Sequence, residues 1–371
     1  MKEDFVSIII PVKNFERTIE KTFEYLLNVD YPHHSWEIII ADGGSKDRTV
    51  EIIKEWQKRY PFIKLVEIPD CPSPAYARNK ALEIVKGDFL LFTDADCAPC
   101  KDWVKNLISP FKKDPRIGAV GGEVYTLKVD PNNLTEIYCE AFRFNMVSPR
   151  YGFIGEGYLP NFGEITPLEI AGHKAYFFGT CNVAYRREAM KDLKFWDHPT
   201  GEDMDFSHQL KLKGYKLYFA PEAKVDHMHR ADFKGLKKVW VSYGEAHSPL
   251  ISKYCKKNLL EIVFQIMKKK MSLKIPFFLK GFIYIGDFHF MHIFGVLAVL
   301  GFIFNNRPLG FIFLILALYF AFSFFFYCFY CKPRRYLLTW FKMKYMTNLS
   351  FIRGGLKNFK RYKVLCIEPS F

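Results

Sequence analysis

The chain has 371 residues, 50% of them hydrophobic and 18% aromatic, with a formal net charge of +14. That length holds one large domain or two smaller ones, and nine scattered cysteines, an odd number with no secretory pattern ahead of them, argue against a disulfide framework. The placement of the charge argues against a nucleic-acid binder: Lys268, Lys269, Lys270 and Lys274 precede an apolar region and Lys332, Arg334 and Arg335 follow it, as in a membrane-surface protein.

Residues 5–12 form a short apolar run, too short for the core of a signal peptide, so the N-terminal domain is expected in the cytoplasm. The run suits a buried strand. Residues 16–28 carry Ile19, Phe23, Leu26 and Leu27 at helical spacing. A second strand, 36–41, breaks at Asp42-Gly43-Gly44-Ser45, where Ser45 can cap a helix carrying Val50, Ile53 and Trp56. Residues 62–68 predict a third strand, 75–85 a helix stopped by Gly87, and 88–93 a fourth strand ending on Asp94-Ala95-Asp96. Strands alternating with helices imply a parallel sheet, whose ligands bind beyond the C-terminal strand ends. Both polar clusters, after Ala41 and after Thr93, fall at such ends.

Further strands are expected over 117–125, 176–185 and 215–220, and helices over 186–193, 202–213 and 232–247. Residues 149–172, rich in Gly and Pro, are expected as a long loop over the site. Residues 250–274 mix apolar side chains with lysines and suit a helix lying in a membrane interface. Two apolar segments follow, 275–304 and 308–330, each longer than the roughly 20 residues that cross a bilayer. Basic flanks predict a hairpin with both ends cytoplasmic. Asp287, His289 and His292 interrupt the first segment, either as functional groups at membrane depth or as interfacial residues without a special role. The expected division is a catalytic domain 1–248, an interfacial segment 249–274, a two-span hairpin 275–331 and a basic cytoplasmic tail 332–371. Two cysteine pairs, Cys97/Cys100 and Cys328/Cys331, have CxxC spacing, but a structural zinc would need them to meet, and the second pair ends an apolar span.

Asp94 and Asp96, one residue apart at a strand end, can both reach one divalent cation, and hard oxygen ligands suit Mg²⁺ or Mn²⁺. Asp42 and Gly43 can border a base or ribose, or simply turn a strand into a helix. Glu202 and Asp203 can supply a general base, or complement a helix dipole. His227 or His229, after the last sheet strand, can complete a metal site. Arg78 can face a diphosphate or hold its loop.

Five segments occur in order. They are Ser7-Ile8-Ile9-Ile10-Pro11-Val12-Lys13-Asn14, Ala41-Asp42-Gly43-Gly44-Ser45-Lys46-Asp47-Arg48-Thr49, Ala77-Arg78-Asn79, Asp94-Ala95-Asp96 and Gly201-Glu202-Asp203. Together they resemble family 2 glycosyltransferases over about residues 5–245, and Phe178-Gly179-Thr180-Cys181-Asn182 is similar to that family's G-x-x-N element. The resemblance implies a GT-A fold, a Rossmann-like mixed α/β sheet flanked by helices, here followed by C-terminal transmembrane helices. It implies a nucleotide-diphosphate sugar donor, a Mn²⁺ or Mg²⁺ cofactor and inversion at the anomeric carbon. By position, Pro11 and Asp42 would border the nucleotide, Asp94 and Asp96 would hold the diphosphate through the metal, and His227, with His229 as rival, would join them. Asp203 would be the base, Glu202 would support it, and Gly179 and Asn182 would shape the acceptor side.

Processive members carry a Q-x-x-R-W element. Here Leu236-Lys237-Lys238-Val239-Trp240 lacks the Gln and the Arg, so transfer of a single sugar is expected, with UDP-sugars favoured. The expected partners are the donor, a lipid-linked glycan or surface polysaccharide precursor, and membrane lipids, and no nucleic acid. A polyprenyl-phosphate sugar synthase and a non-catalytic nucleotide-sugar binding module are the competing readings.

Overall fold

The computed structural model describes residues 4–152, 154–266 and 269–369. The chain divides into two compact units, the first comprising Met1–Pro131, Arg143–Gly163 and Ala175–His229, the second Asn132–Phe142, Glu164–Lys174 and Arg230–Phe371.

The first unit is built on a nine-stranded mixed sheet. Its strands are β1 (Val6–Val12), β2 (Trp36–Asp42), β3 (Ile63–Glu67), β4 (Phe89–Phe92), β5 (Cys97–Pro99), β6 (Ile117–Leu127), β7 (Gly157–Tyr158), β8 (Val183–Arg186) and β9 (Lys216–Met228). The order is β3-β2-β1-β4-β8-β6-β9-β5, with β7 paired to β9. The strands β3, β2, β1 and β4 run parallel, and β8 enters antiparallel between β4 and β6. The apolar runs of β1 and β2 are unbroken because both sheet faces are covered. Ile8, Ile10, Ile38 and Ile40 join one core with Phe23, Ile53 and Trp103, while Ile9, Ile39 and Ala41 join another with Ala77, Phe92 and Phe206.

The long strand β9 runs parallel to β6 with a register shift at Gly122/Glu123. A Cβ on Gly122 would lie 1.8 Å from the Ala223 carbonyl oxygen, so only glycine admits that approach. The segment 149–172, expected as one loop, begins at the end of the short helix Val147–Arg150 and contains β7 and the short helix Pro167–Ile170. The strand expected over 176–185 is confined to β8.

The second unit departs from the sequence expectation. The segment 250–274 is not one amphipathic helix. The helix His247–Tyr254 ends early, and β10 (Leu259–Ile266) and β11 (Lys269–Pro276) follow as an antiparallel pair. Met267 and Lys268 lie outside the described residues. The β-branched Ile262, Val263 and Ile266 favour the strand, and β12 (Lys280–Ile285) pairs β10 in parallel, with β13 (Val364–Ile367) beyond it. The lysines fall on β11, an exposed edge strand, where charge blocks pairing with another chain.

The segment 275–304 is likewise not one span. It holds the end of β11, all of β12 and a helix, Asp287–Ile303, of 17 residues. Within β12, Gly281 admits the close approach of β13: its φ is +143°, and a Cβ there would lie 1.9 Å from the Leu365 carbonyl oxygen. Among the described residues one helix, Arg307–Tyr330, is long and apolar enough to cross a membrane. Of the polar residues on the shorter helix, Asp287 and His292 have hydrogen-bond partners, whereas both ring nitrogens of His289 are buried without one among the described residues. Asp287 accepts a hydrogen bond from Ser323, and His292 Nε2 lies 2.8 Å from the Tyr345 hydroxyl.

Residues 332–369 of the segment expected as a tail are folded. The helix Leu337–Lys357 buries Trp340, Met343 and Phe351, and β13 completes the sheet. Gly244 on the helix Phe233–Glu245 lets the two helices meet closely, since a Cβ there would lie 2.3 Å from the Phe351 carbonyl oxygen.

Candidate active site

The candidate site lies wholly in the first unit, at the C-terminal ends of β1, β2 and β4. The Asp94-Ala95-Asp96 turn is held by its neighbours. The Thr93 hydroxyl donates to the Cys181 carbonyl (3.0 Å) and the Thr22 hydroxyl to the Ala95 carbonyl (2.9 Å). Ala95 is buried, whereas Asp94 and Asp96 keep 27% and 18% of their side chains exposed, enough for a ligand to reach them.

The short strand β5 leaves this turn and pairs antiparallel with β9, placing Cys97 opposite His227. His227 Nε2 stands 3.6 Å from Asp96 Oδ1. Asp94, Asp96, Cys97 and His227 each offer a donor atom, all within 4.8 Å of one another. The buried His227 Nδ1 has no hydrogen-bond partner among the described residues. Two carboxylates and an imidazole so gathered fit a divalent cation. His229 faces elsewhere: its Nε2 lies 2.8 Å from the Thr126 hydroxyl and its ring packs edge-on against Phe144. Burial, then the neighbouring His227, pushes its imidazole down to about 3. The geometry thus distinguishes the two histidines and points His227 at the carboxylates.

Arg78, on the helix Pro74–Ala81, ties this turn to the acidic pair. Ser73 caps that helix by accepting from Tyr76 N, and Pro74 begins it. The Arg78 guanidinium is 4% exposed and donates to Glu202 Oε1 (2.9 Å) and Asp94 Oδ1 (3.4 Å). Burial opposes its charge, but Glu202, Asp94 and Asp203 outweigh burial and keep Arg78 a cation. With both terminal nitrogens engaged, Arg78 braces the carboxylates; of the two roles expected for it, holding the loop fits these contacts.

Glu202 and Asp203 open the helix Glu202–Leu212, and Gly201 supplies the left-handed turn before it (φ +84°). Asp203 is half-buried, and its Oδ1 accepts from Met204 N at 2.7 Å. Burial, then the charge of Glu202, pushes its carboxyl up to about 7. A carboxyl tuned to neutral pH is suited to take a proton from a hydroxyl. Gly179 keeps room beside it: a Cβ there would sit 3.8 Å from Asp203 Oδ2.

Other expected site residues sit differently. Pro11 is buried within β1, opposite Ala41. Asp42 caps its own turn, accepting from Gly44 N and Ser45 N, each at 3.0 Å, and from the Ser45 hydroxyl. Gly43 N donates to the Val12 carbonyl (2.8 Å). Asp42 is therefore a turn residue two strands, roughly 10 Å, from the Asp94 position. Asn182 is a strut. Its amide donates to the carbonyls of Glu123 (2.9 Å) and Ala223 (2.7 Å) and accepts from Trp103 Nε1 (2.9 Å), so no donor remains for a ligand.

Arg150 is a contributor that sequence reasoning did not single out, and Cys97 was singled out only as half of a CxxC pair. Buried Glu123 caps the short helix Val147–Arg150, accepting from Val147 N (2.6 Å) and Ser148 N (3.1 Å). Arg150, at that helix's end, lies over the Phe177 ring (5.2 Å) and lends positive potential to Asp203. An acid inside the apolar run of β6 was the only signal for this arrangement.

A family model for glycosyl transferase family 2 matches residues 7–194, about half of the chain. The chain is 30% identical over 256 residues to the dolichyl N-acetyl-alpha-D-glucosaminyl phosphate 3-beta-D-2,3-diacetamido-2,3-dideoxy-beta-D-glucuronosyltransferase of Methanococcus voltae, covering 67% of this chain and 75% of that one. It is 27% identical to the poly-beta-1,6-N-acetyl-D-glucosamine synthase of Staphylococcus epidermidis, over 74% of this chain but only 60% of the synthase's length. Among solved structures it is similar to the mannosyltransferase PcManGT of Pyrobaculum calidifontis in complex with GDP-Man and Mn²⁺, with 20% identity, a TM-score of 0.49, and coverage of 68% of this chain and 64% of that one. The mixed α/β sheet is of the GT-A type, and the chain belongs to glycosyl transferase family 2, enzymes that use nucleotide sugars to build glycans and polysaccharides.

Proposed function

We propose that this enzyme transfers a single sugar, from a UDP-sugar in preference to a GDP-sugar, to a hydroxyl of a lipid-linked glycan or surface polysaccharide precursor, with inversion. The observation that carries the proposal is Asp203, a half-buried carboxyl raised to about 7, set beside the brace in which Arg78 joins Asp94 to Glu202. Asp203 takes the proton of the acceptor hydroxyl as that oxygen bonds to the anomeric carbon. The bond from that carbon to the diphosphate oxygen breaks on the opposite face, and the nucleotide diphosphate leaves with the bonding electrons. A Mn²⁺ or Mg²⁺ ion held by Asp94, Asp96 and His227 would draw negative charge off that diphosphate. Arg78 keeps the donor-side and acceptor-side carboxylates in register, and Gly179 leaves the approach to Asp203 open.

A tuned base favours a hydroxyl acceptor over the phosphate acceptor of a polyprenyl-phosphate sugar synthase, because a phosphate needs no deprotonation at neutral pH. The relative from Methanococcus voltae is named for a lipid-linked sugar phosphate acceptor, which supports that acceptor class. The enzyme meets such acceptors through a membrane hairpin with both ends on the cytoplasmic side. Arg307–Tyr330 crosses fully, and Asp287–Ile303, about 25 Å long, spans most of a hydrocarbon core of roughly 30 Å.

The test is nucleotide release from a panel of UDP- and GDP-sugars by detergent-purified protein, with membrane lipid extract as acceptor and Mn²⁺, Mg²⁺ or EDTA. The expected result is metal-dependent, lipid-stimulated release from one donor, absent in Asp96→Ala and Asp203→Asn. Donor binding without release under any acceptor condition would favour a non-catalytic module and overturn the proposal.

A further inference from the structure

The thiol of Cys97 belongs to the same ring of donor atoms as Asp94, Asp96 and His227. Its position is set by strand pairing, since β5 places Cys97 directly opposite His227 on β9. Its Sγ lies 4.0 Å from Asp96 Oδ1. Cys97 is 1% exposed, so the sulfur meets the neighbouring carboxylates rather than solvent.

This set has two sides. Asp94, Asp96 and His227 supply oxygen and nitrogen, which a hard ion accepts while keeping positions free for phosphate oxygens. With the sulfur included there are four ligands of two softness classes, and thiolate selects thiophilic ions. Tetrahedral zinc with bonds of about 2.0–2.3 Å needs ligand atoms roughly 3.4–3.8 Å apart. The Asp96–His227 pair stands at 3.6 Å already, and the whole set lies within 4.8 Å, so side-chain shifts of under about 1 Å close it.

We infer that the metal centre is a two-way site, in which Cys97 joins Asp94, Asp96 and His227 to bind Zn²⁺ as a closed four-ligand complex that excludes Mn²⁺ and leaves no position for the donor diphosphate. As the zinc–sulfur bond forms, the Cys97 S–H bond breaks and its proton passes to water. The inference rests on the reading of these carboxylates as the metal site. It makes Zn²⁺ an inhibitor of a Mn²⁺- or Mg²⁺-supported enzyme.

The experiment uses the full chain in detergent, stripped of metal, with Co²⁺ as the spectroscopic probe for zinc and the paramagnetic resonance signal of free Mn²⁺ as the competition readout. The wild type is expected to show both visible cobalt bands and near-ultraviolet sulfur-to-cobalt charge-transfer absorption. Cys97→Ala and Cys97→Ser are expected to keep the visible bands and lose the charge-transfer band. The Zn²⁺ needed to displace half of the bound Mn²⁺ is expected to rise roughly tenfold or more in both variants. If both variants fail to fold, loss of the charge-transfer band from folded His227→Ala or Asp96→Ala carries the test. Visible bands without charge transfer in the wild type, or a band that survives in folded Cys97 variants, would overturn the inference and leave the Mn²⁺ site standing. Absence of any cobalt or manganese binding would overturn both.

Discussion

The two units of this chain carry similar raw material, apolar runs separated by polar turns, yet one resembles its sequence pattern and the other does not. In the first unit the runs that become β1, β2, β3 and β4 are four to seven residues long and end near a turn signal, such as Asn14 after Val12 or Asp42-Gly43-Gly44 after Ala41. Length and punctuation together choose strand over helix there. In the second unit, residues 250–304 hold an apolar-basic mixture with few breaks, and hydrophobicity alone cannot distinguish an interfacial helix from β10, β11 and β12. The lysines that suggest a membrane surface also suit an exposed edge strand. Apolar content therefore locates buried segments, but only punctuation assigns their geometry.

The largest expected effect tests the first unit's chemistry. Asp203→Asn should lower the transfer rate by roughly 10²–10⁴-fold, with donor binding retained. In the wild type the rate should rise with pH through about 7, as Asp203 loses its proton. Glu202→Gln should move that limb to lower pH, because the Glu202 charge helps to raise Asp203. Stability should run the other way. The folded pKa lies above the unfolded value of 3.8, so the folded state holds the extra proton between about pH 4 and 7, and stability falls as pH rises through that window. Asp203→Asn should be more stable than wild type above pH 7, by at most about 4 kcal/mol, with the gap closing toward pH 4. Thermal melts at two pH values check this. An unchanged gap would show that Asp203 is not held protonated.

The next effect separates structure from ligand binding. Arg78→Met leaves Asp94 and Glu202 without their buried cation, and breaking such a group from one side costs about 3–5 kcal/mol. The melting midpoint should fall steeply, and much less so in Arg78→Lys. If Arg78→Met instead melts normally and only loses donor affinity, the side chain serves the diphosphate and not the carboxylates.

A smaller effect probes the second unit. Gly244→Ala puts a methyl group 2.3 Å from the Phe351 carbonyl, and overpacking of this kind costs about 1–3 kcal/mol. A lowered melting midpoint is expected, with Gly214→Ala as control, where a Cβ meets nothing within 4 Å but φ is +85°. A cost at Gly244 no larger than that conformational penalty, about 1 kcal/mol, would show that the helices Phe233–Glu245 and Leu337–Lys357 pack less tightly than their backbones indicate.

What was legible follows local rules. The strand ends carrying Asp42 and Asp94, and the helix opening at Glu202, could be read because each is set by neighbours in sequence. The self-capping of Asp42, the burial of Asn182 among Glu123, Ala223 and Trp103, and the Arg78 brace across 124 residues to Glu202 depend on tertiary approach. Arg150 is reached only through the cap that Glu123 gives its helix. Cys97 was visible as half of a CxxC pair, but its partner in the fold is His227, brought by strand register and not by spacing.

The smallest effect decides what the lysines of β11 do. Lys269 is exposed, and Lys274 makes an exposed ion pair with Glu164 at 2.6 Å. Such a pair is worth under about 1 kcal/mol, so Lys274→Gln should barely move the melting midpoint. Near an anionic bilayer each lysine contributes about 1 kcal/mol of attraction. Lys269→Gln with Lys274→Gln should therefore weaken binding to vesicles containing anionic lipid by roughly thirtyfold, at low salt, and leave binding to neutral vesicles unchanged. If anionic-vesicle binding does not change and the double variant self-associates, the two charges guard an open strand edge. The second unit would then hold the membrane through its apolar helices alone.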